Sequence, residues 1–249
     1  MKYILILLLI LSQLTAKDKQ QEVTIGAGAY MQTQPYKNVD AIVLPSPVIF
    51  FDNGVAYVRW TRVGVYFLGD KQDDFSWGFS LTAQPRTYGY KSSDSSYLAG
   101  MDERKTSFEG GLAFSTQLDK TYLEIMALTD ILDRHDTWII KAELGRDYKF
   151  GKLSLYPSLI AIYNSSKFMD YYYGVKSSEA IVSIRDEYKA DAGLQLGAQT
   201  YIKYPLTDSL SAFINLRVDK LPQEATDSPI VSDDYIYSGL ASLIYTFKY

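Results

Sequence analysis

His135 is the one imidazole in 249 residues, and Cys is absent. Those two counts set the catalysis this chain could attempt. Without a thiol there is no disulfide, no thiolate metal site, no cysteine nucleophile and no lipidated N-terminal cysteine. A Ser/His/Asp centre would have to use His135, which lies between Arg134 and Asp136. The motif context of such enzymes is missing around it, so His135 reads as a solvated loop residue. Acidic pairs at Asp73-Asp74, Asp186-Glu187 and Asp233-Asp234 look like solvated loop tips. None has the spacing of a calcium loop. The string GAGAY at 26–30 precedes no helix and lacks the lysine a phosphate-binding loop needs. The net charge is −4, with no run of five like charges, so no nucleic-acid arm is expected. These residues point to a protein that is not an enzyme and needs neither metal nor cofactor.

The elements that carry these residues alternate with period two almost throughout. In FSWGFSLTAQP, Phe75, Trp77, Phe79, Leu81 and Ala83 share one face, and Ser76, Gly78, Ser80, Thr82 and Gln84 share the other. Successive strand residues point to opposite faces, so this is a two-faced strand. Pro85 belongs near its end, since proline donates nothing to the ladder. The pattern returns at Thr121 to Ile131, from Trp138, from Leu153, from Ala192, from Leu210, and in the last stretch, YIYSGLASLIYTFKY. None of these apolar faces carries a charge.

The first residues, MKYILILLLILSQLTA, combine a positive Lys2, a short apolar run and a small Ala16. They read as a secretory signal peptide over 1–16, too short to span a bilayer as a helix. Residues 17–249 then form one domain. The strands run to about ten residues, the length of a tilted bilayer span. Aromatic residues recur at the ends of the apolar faces (Phe75, Trp138, Tyr163, Tyr235, Tyr249), as interfacial girdles require. The expectation is an all-β transmembrane antiparallel up-and-down barrel, closed because an open sheet edge in lipid leaves backbone groups unpaired.

Connection lengths give the strand count. Short links lie near Asp52-Asn53-Gly54, 70–74, 118–120, 150–152 and 205–208. Long ones lie near 32–45, 87–106, 165–190 and 220–234. They alternate, with both termini periplasmic, if 46–69 holds three short strands with a tight turn near Arg62 and 133–136 is a short outer loop. That arrangement has about twelve strands; ten is the alternative. The lumen would collect Arg59, Glu109, Glu124, Lys141, Glu143, Gln195, Gln199, Asn215 and Arg217. Both signs are present, and Tyr122, Tyr156 and Tyr201 would fill space beside them, so a filled or narrow lumen is expected over an open pore.

Several strings are more specific than a pattern: GAGAY at 26–30, PYKNVD at 35–40, LPSPVIFFDNG at 44–54, LAGMDERKTSFEGG at 98–111, YYYGVKSSEA at 171–180, DSPIV at 227–231 and YTFKY at the end. In order and over essentially the whole mature chain, the series resembles the MipA/OmpV family of Gram-negative outer-membrane proteins. Tyr171, Tyr172, Tyr173, Gly174 and Val175, with Asp227, Ser228 and Pro229, carry most of that resemblance. An Asn38 stands where the family has Gly, and Tyr249 where it has Phe. The resemblance implies an outer-membrane barrel without catalytic residues. It implies an interaction or scaffold role, through the family's association with a murein transglycosylase and a peptidoglycan synthase. A narrow channel or porin for small polar solutes is the alternative. Expected partners are outer-membrane lipid and lipopolysaccharide, the barrel assembly machinery, which reads C-terminal aromatics such as Phe247 and Tyr249, and periplasmic murein enzymes. The Tyr171–Gly174 run reads as an aromatic cluster packing a loop over the barrel mouth, with Gly174 in an unusual backbone angle, and Asp227-Ser228-Pro229 as a turn.

Overall fold

The computed structural model describes residues 22–86 and 89–248. The signal peptide expected over 1–16 and Tyr249 lie outside the described residues. Thirteen strands form a single antiparallel sheet: β1 Glu22–Gln32, β2 Ile42–Asp52, β3 Ala56–Arg59, β4 Arg62–Lys71, β5 Phe75–Pro85, β6 Phe108–Leu118, β7 Thr121–Asp130, β8 Trp138–Arg146, β9 Tyr148–Phe150, β10 Leu153–Asn164, β11 Gly193–Pro205, β12 Leu210–Lys220 and β13 Tyr235–Lys248. β8 and β9 pair with the same strand in one register, interrupted at Arg146 and Asp147. They are one wall strand, which makes twelve. β13 pairs with β1 from Glu22↔Lys248 to Gln32↔Ser238, so the sheet closes on itself and no edge is left at that seam.

The period-two reading decides which face meets lipid. On β13, Tyr235, Tyr237, Leu243, Tyr245 and Phe247 point outward, and Ile236, Leu240 and Ile244 point into the barrel. Leu159 is 66% exposed and Leu243 54%. A continuous apolar band of that kind belongs in a bilayer. Outward aromatics gather at both rims: Trp138 stacks on Tyr163 at one, and Tyr245 meets Phe247 at the other.

The expectation of three short strands in 46–69 is corrected. β2 and β4 are full length, and only β3 is short. The tight turn is Trp60-Thr61, just before Arg62. Turn signals located this hairpin, but run length could not, because β2 starts at Ile42, inside the expected 32–45 connection, and continues through Pro45 and Pro47.

Long connections collect at one end and fold inward as a cap. Its elements are α1 (Ser166–Tyr173), the one-turn α2 (Gln223–Thr226) and irregular segments around Tyr36, Tyr90, Leu98 and Val231. Ser165 starts α1, its hydroxyl accepting from the Phe168 N–H. Phe168, Met169, Tyr172 and Tyr173 of α1 pack on inward-facing Met126, Leu128, Ile139, Ile160 and Ile162 of the wall. Among the described residues, the larger apolar core therefore sits inside the long-loop mouth. Glu22 and Lys248 lie at the opposite, short-turn end.

Candidate functional site: a capped lumen

Beneath the cap lies a cavity of about 1690 Å3. Its lining runs from Arg86, Ile162 and Ile236 below the cap to Asn53, Asp70 and Asp73 at the short-turn rim. Charged side chains cross its middle. Glu124 on β7 accepts from Arg59 Nη1 at 3.1 Å and from both Arg62 nitrogens, at 2.5 and 2.9 Å. Glu143 on β8 stands directly opposite Glu124 in the ladder. Two carboxylates so placed repel, and each has its own cations or donors. Glu143 takes Lys141 at 3.0 Å and the side chains of Tyr122, Ser158 and Gln199 at 2.7 to 2.9 Å. Arg217 and Gln195 hold Asp219 on the next section of wall.

Two tyrosines are kept flat against the wall by glycine. Tyr57 lies over Gly64 and Tyr122 over Gly145, its register partner in each case. A Cβ on Gly145 would come within 2.5 Å of the Tyr122 ring. The glycines leave room for the rings, and the rings deliver their hydroxyls to Ser80 and Glu143.

All nine residues placed in the lumen from sequence point inward, and Glu109, Glu124, Glu143, Gln195, Gln199 and Asn215 are buried. Sequence reading missed the other half of the lumen. Val48, Phe213, Leu240 and Ile244, flanked by Tyr30, Phe50 and Trp60, form an apolar cluster on the inner face of β2, β12 and β13. These residues lie on faces that also carry Ser and Asn, and no single-strand pattern separates an apolar patch there from a polar one.

His135 is not solvated. It is 4% exposed, among the rings of Phe168, Tyr171 and Tyr172. The Asp130 carboxylate collects the backbone N–H groups of Leu132, Arg134 and His135. That folds the short loop inward over the mouth, a direction that loop length cannot encode. His135 Nε2 lies 3.8 Å from Glu109 Oε1, and Glu109 is paired with Arg86. No described hydroxyl hydrogen-bonds to either ring nitrogen, so a Ser/His/Asp relay is not assembled there.

The family-motif residues meet inside the cap. Tyr172, Tyr173 and Val175 are buried, and Ser228 is buried against them. The Tyr171 carbonyl accepts from Arg104 Nε at 2.6 Å, and Arg104 makes a buried bidentate pair with Glu179. Burial pushes the Tyr90 and Tyr172 phenols above their usual range. Gly174 does not take an unusual angle; its φ is −72°. Glycine is needed there because a Cβ would stand 2.3 Å from the Asp170 carbonyl, which caps the helix. Asp227 closes α2, and Asp227-Ser228-Pro229 forms the expected turn.

The family model of the MltA-interacting protein MipA matches residues 25–247. The MltA-interacting protein of Escherichia coli (strain K12) is 28% identical over 228 residues, 91% of this chain and 90% of the relative. Outer membrane protein OmpV of Vibrio cholerae is 26% identical over 181 residues, 73% of this chain and 69% of the relative. Among solved structures, an outer membrane channel from Pseudomonas putida F1 covers 93% of this chain and 97% of its own, at 12% identity and a TM-score of 0.42.

Proposed function

This chain belongs to the family of the MltA-interacting protein MipA, and we propose that it is a non-enzymatic scaffold in the outer membrane of a Gram-negative bacterium. Its outer-membrane place follows from its relatives and its barrel. The proposed partners are periplasmic murein enzymes, a transglycosylase or a synthase, met at the short-turn end. A relative of similar length is named for interaction with MltA, which supports this choice of partner. The observation that carries the reading is the cap. An apolar core built from α1, Tyr36, Tyr90 and Leu98 packs one mouth of the barrel. With the cap outward, the short turns and the open end of the cavity face the periplasm. Lipid and lipopolysaccharide surround the wall, and the assembly machinery reads its closing strand.

Crosslinking in intact envelopes followed by pull-down tests this. A periplasmic murein enzyme should be recovered; its absence overturns the scaffold reading. The cavity of about 1690 Å3 favours a second reading, a narrow channel for small polar solutes. Steady single-channel currents from the purified barrel in planar bilayers would establish the channel and remove the pure scaffold.

A further inference from the structure

β2 and β3 are paired only at Phe50, Phe51 and Asp52, because β3 ends at Arg59. The Trp60 N–H adds one bond to the Ile49 carbonyl, at 2.8 Å. Beyond it, from Val43 to Val48, β2 has no described strand on that side. Backbone groups alternate along a strand, so residues 43, 45 and 47 face the same way as Ile49, toward the missing neighbour. Two of these three are Pro45 and Pro47, which have no N–H to leave unpaired. Proline in a sheet belongs on such an edge, and an edge facing lipid gains most from it, since each free donor there is costly.

The gap is bordered on β2 by apolar side chains and closed from within by another. Val43 and Leu44 are exposed on β2. Trp60 takes φ +58° in a two-residue turn, a position that usually falls to glycine. That geometry sends its indole across the inner face of the gap. Nε1 donates to Ser46 Oγ at 2.9 Å, and the ring meets Tyr30 at 5.5 Å. Ser46 Oγ in turn donates to the Pro47 carbonyl. The lumen cavity is lined by Leu44, Pro45, Ser46 and Trp60 as well as by the deeper Arg62 and Glu124, so it reaches the gap. Just inside lies the apolar cluster of Val48, Phe50, Phe213 and Leu240.

We propose that this gap is a lateral window, gated by Trp60, through which a single-chain amphiphile from the bilayer lodges its tail against the apolar side of the lumen. A partner strand does not complete the ladder on the β2 side, since Pro45 and Pro47 give it no donors. The β2 edge and the Trp60 indole are apolar, which suits an acyl chain. The Arg59, Arg62 and Glu124 network beside Trp60 supplies a polar site for the head.

The test uses the full barrel in phosphatidylcholine vesicles, with Trp77→Phe and Trp138→Phe leaving Trp60 as the fluorophore. A chain-brominated fatty acid is titrated in. Quenching of Trp60 should saturate near one equivalent. In the companion barrel that keeps only the outward Trp138, quenching should rise in proportion to the fatty acid in the bilayer. Leu44→Glu should weaken the saturable binding about tenfold or more. Thr61→Glu, at the exposed turn, serves the same purpose if Leu44→Glu does not fold. Non-saturating Trp60 quenching, or saturable quenching that survives the glutamate, overturns the proposal. So does quenching seen only when the phosphatidylcholine itself is brominated, because the occupant is then a two-chain lipid.

Discussion

The hydroxyl of Ser228 donates a 2.5 Å hydrogen bond to the carbonyl of Tyr173, joining two loops 55 residues apart at the heart of the cap. The two most specific motifs of the chain are therefore one structural unit. Both partners are buried, so Ser228→Ala leaves a carbonyl without its donor, at a cost of about 1–3 kcal/mol. The wall does not depend on this bond. Ser228→Ala should keep the heat-modifiable barrel yet open segments 165–192 and 221–234 to protease. Unchanged protease resistance would mean that the cap is held elsewhere.

Arg86 and Glu109 form an ion pair with side chains 7% and 0% exposed. The guanidinium also lies over the Phe168 ring, 4.7 Å from its centre, so the pair joins the wall to α1. Removing Glu109 takes from the buried Arg86 the carboxylate it is paired with. Glu109→Ala should cost about 3–5 kcal/mol, read as a lower urea midpoint in detergent micelles. The double variant Arg86→Met/Glu109→Leu should recover most of that loss, since burying a matched apolar pair avoids both desolvation terms. A Glu109→Ala midpoint close to that of the parent would refute a structural role for the pair.

Asp102 and Lys176 are an exposed counterpart, 2.7 Å apart. The hydrogen bond and charge of Lys176 hold the Asp102 carboxyl below its ordinary range. A depressed folded-state pKa gives a contribution that is present above the unfolded value and lost as pH falls through the folded one. For a fully exposed pair this contribution is small and screened by salt. Lys176→Ala should return the Asp102 titration to that of a free aspartate in a carboxyl-resolved NMR experiment, with the barrel's unfolding midpoint unchanged at neutral pH. A carboxyl that still titrates low in the variant would assign the shift to Arg104 instead.

The wall was legible because lipid and lumen impose period two on nearly every strand. Phe75–Pro85 and Leu210–Lys220 end where their patterns end. The inward charges were legible for the same reason: Glu124 and Glu143 sit among apolar neighbours that must face lipid. What stayed hidden depends on contacts between distant segments. His135 looks solvated among Arg134 and Asp136 until Asp130 turns the loop inward. The connection near 32–45 looks longer than it is until β2 is seen to start at Ile42 and run through Pro45 and Pro47. Gly174 looks like a backbone hinge until the Asp170 carbonyl is found where its Cβ would go. In each case sequence shows the residue type but not the neighbour that explains it.

Phe247 is the residue through which folding stability and membrane assembly can be told apart. It pairs with Val23 across the seam between β13 and β1 and meets Tyr245 at 4.7 Å on the lipid face. Half of its surface is exposed, so truncation removes only part of a side chain's burial, about 1–2 kcal/mol. The neighbouring pairs from Thr24↔Thr246 to Gln32↔Ser238 remain, and the isolated Phe247→Ala chain should refold in detergent with nearly the parent yield. If the assembly machinery reads this aromatic, the amount of folded barrel in the outer membrane should fall several-fold in cells, beyond what the refolding yield accounts for. Equal losses in detergent and in cells would make Phe247 a packing residue of the seam and remove its role as a signal.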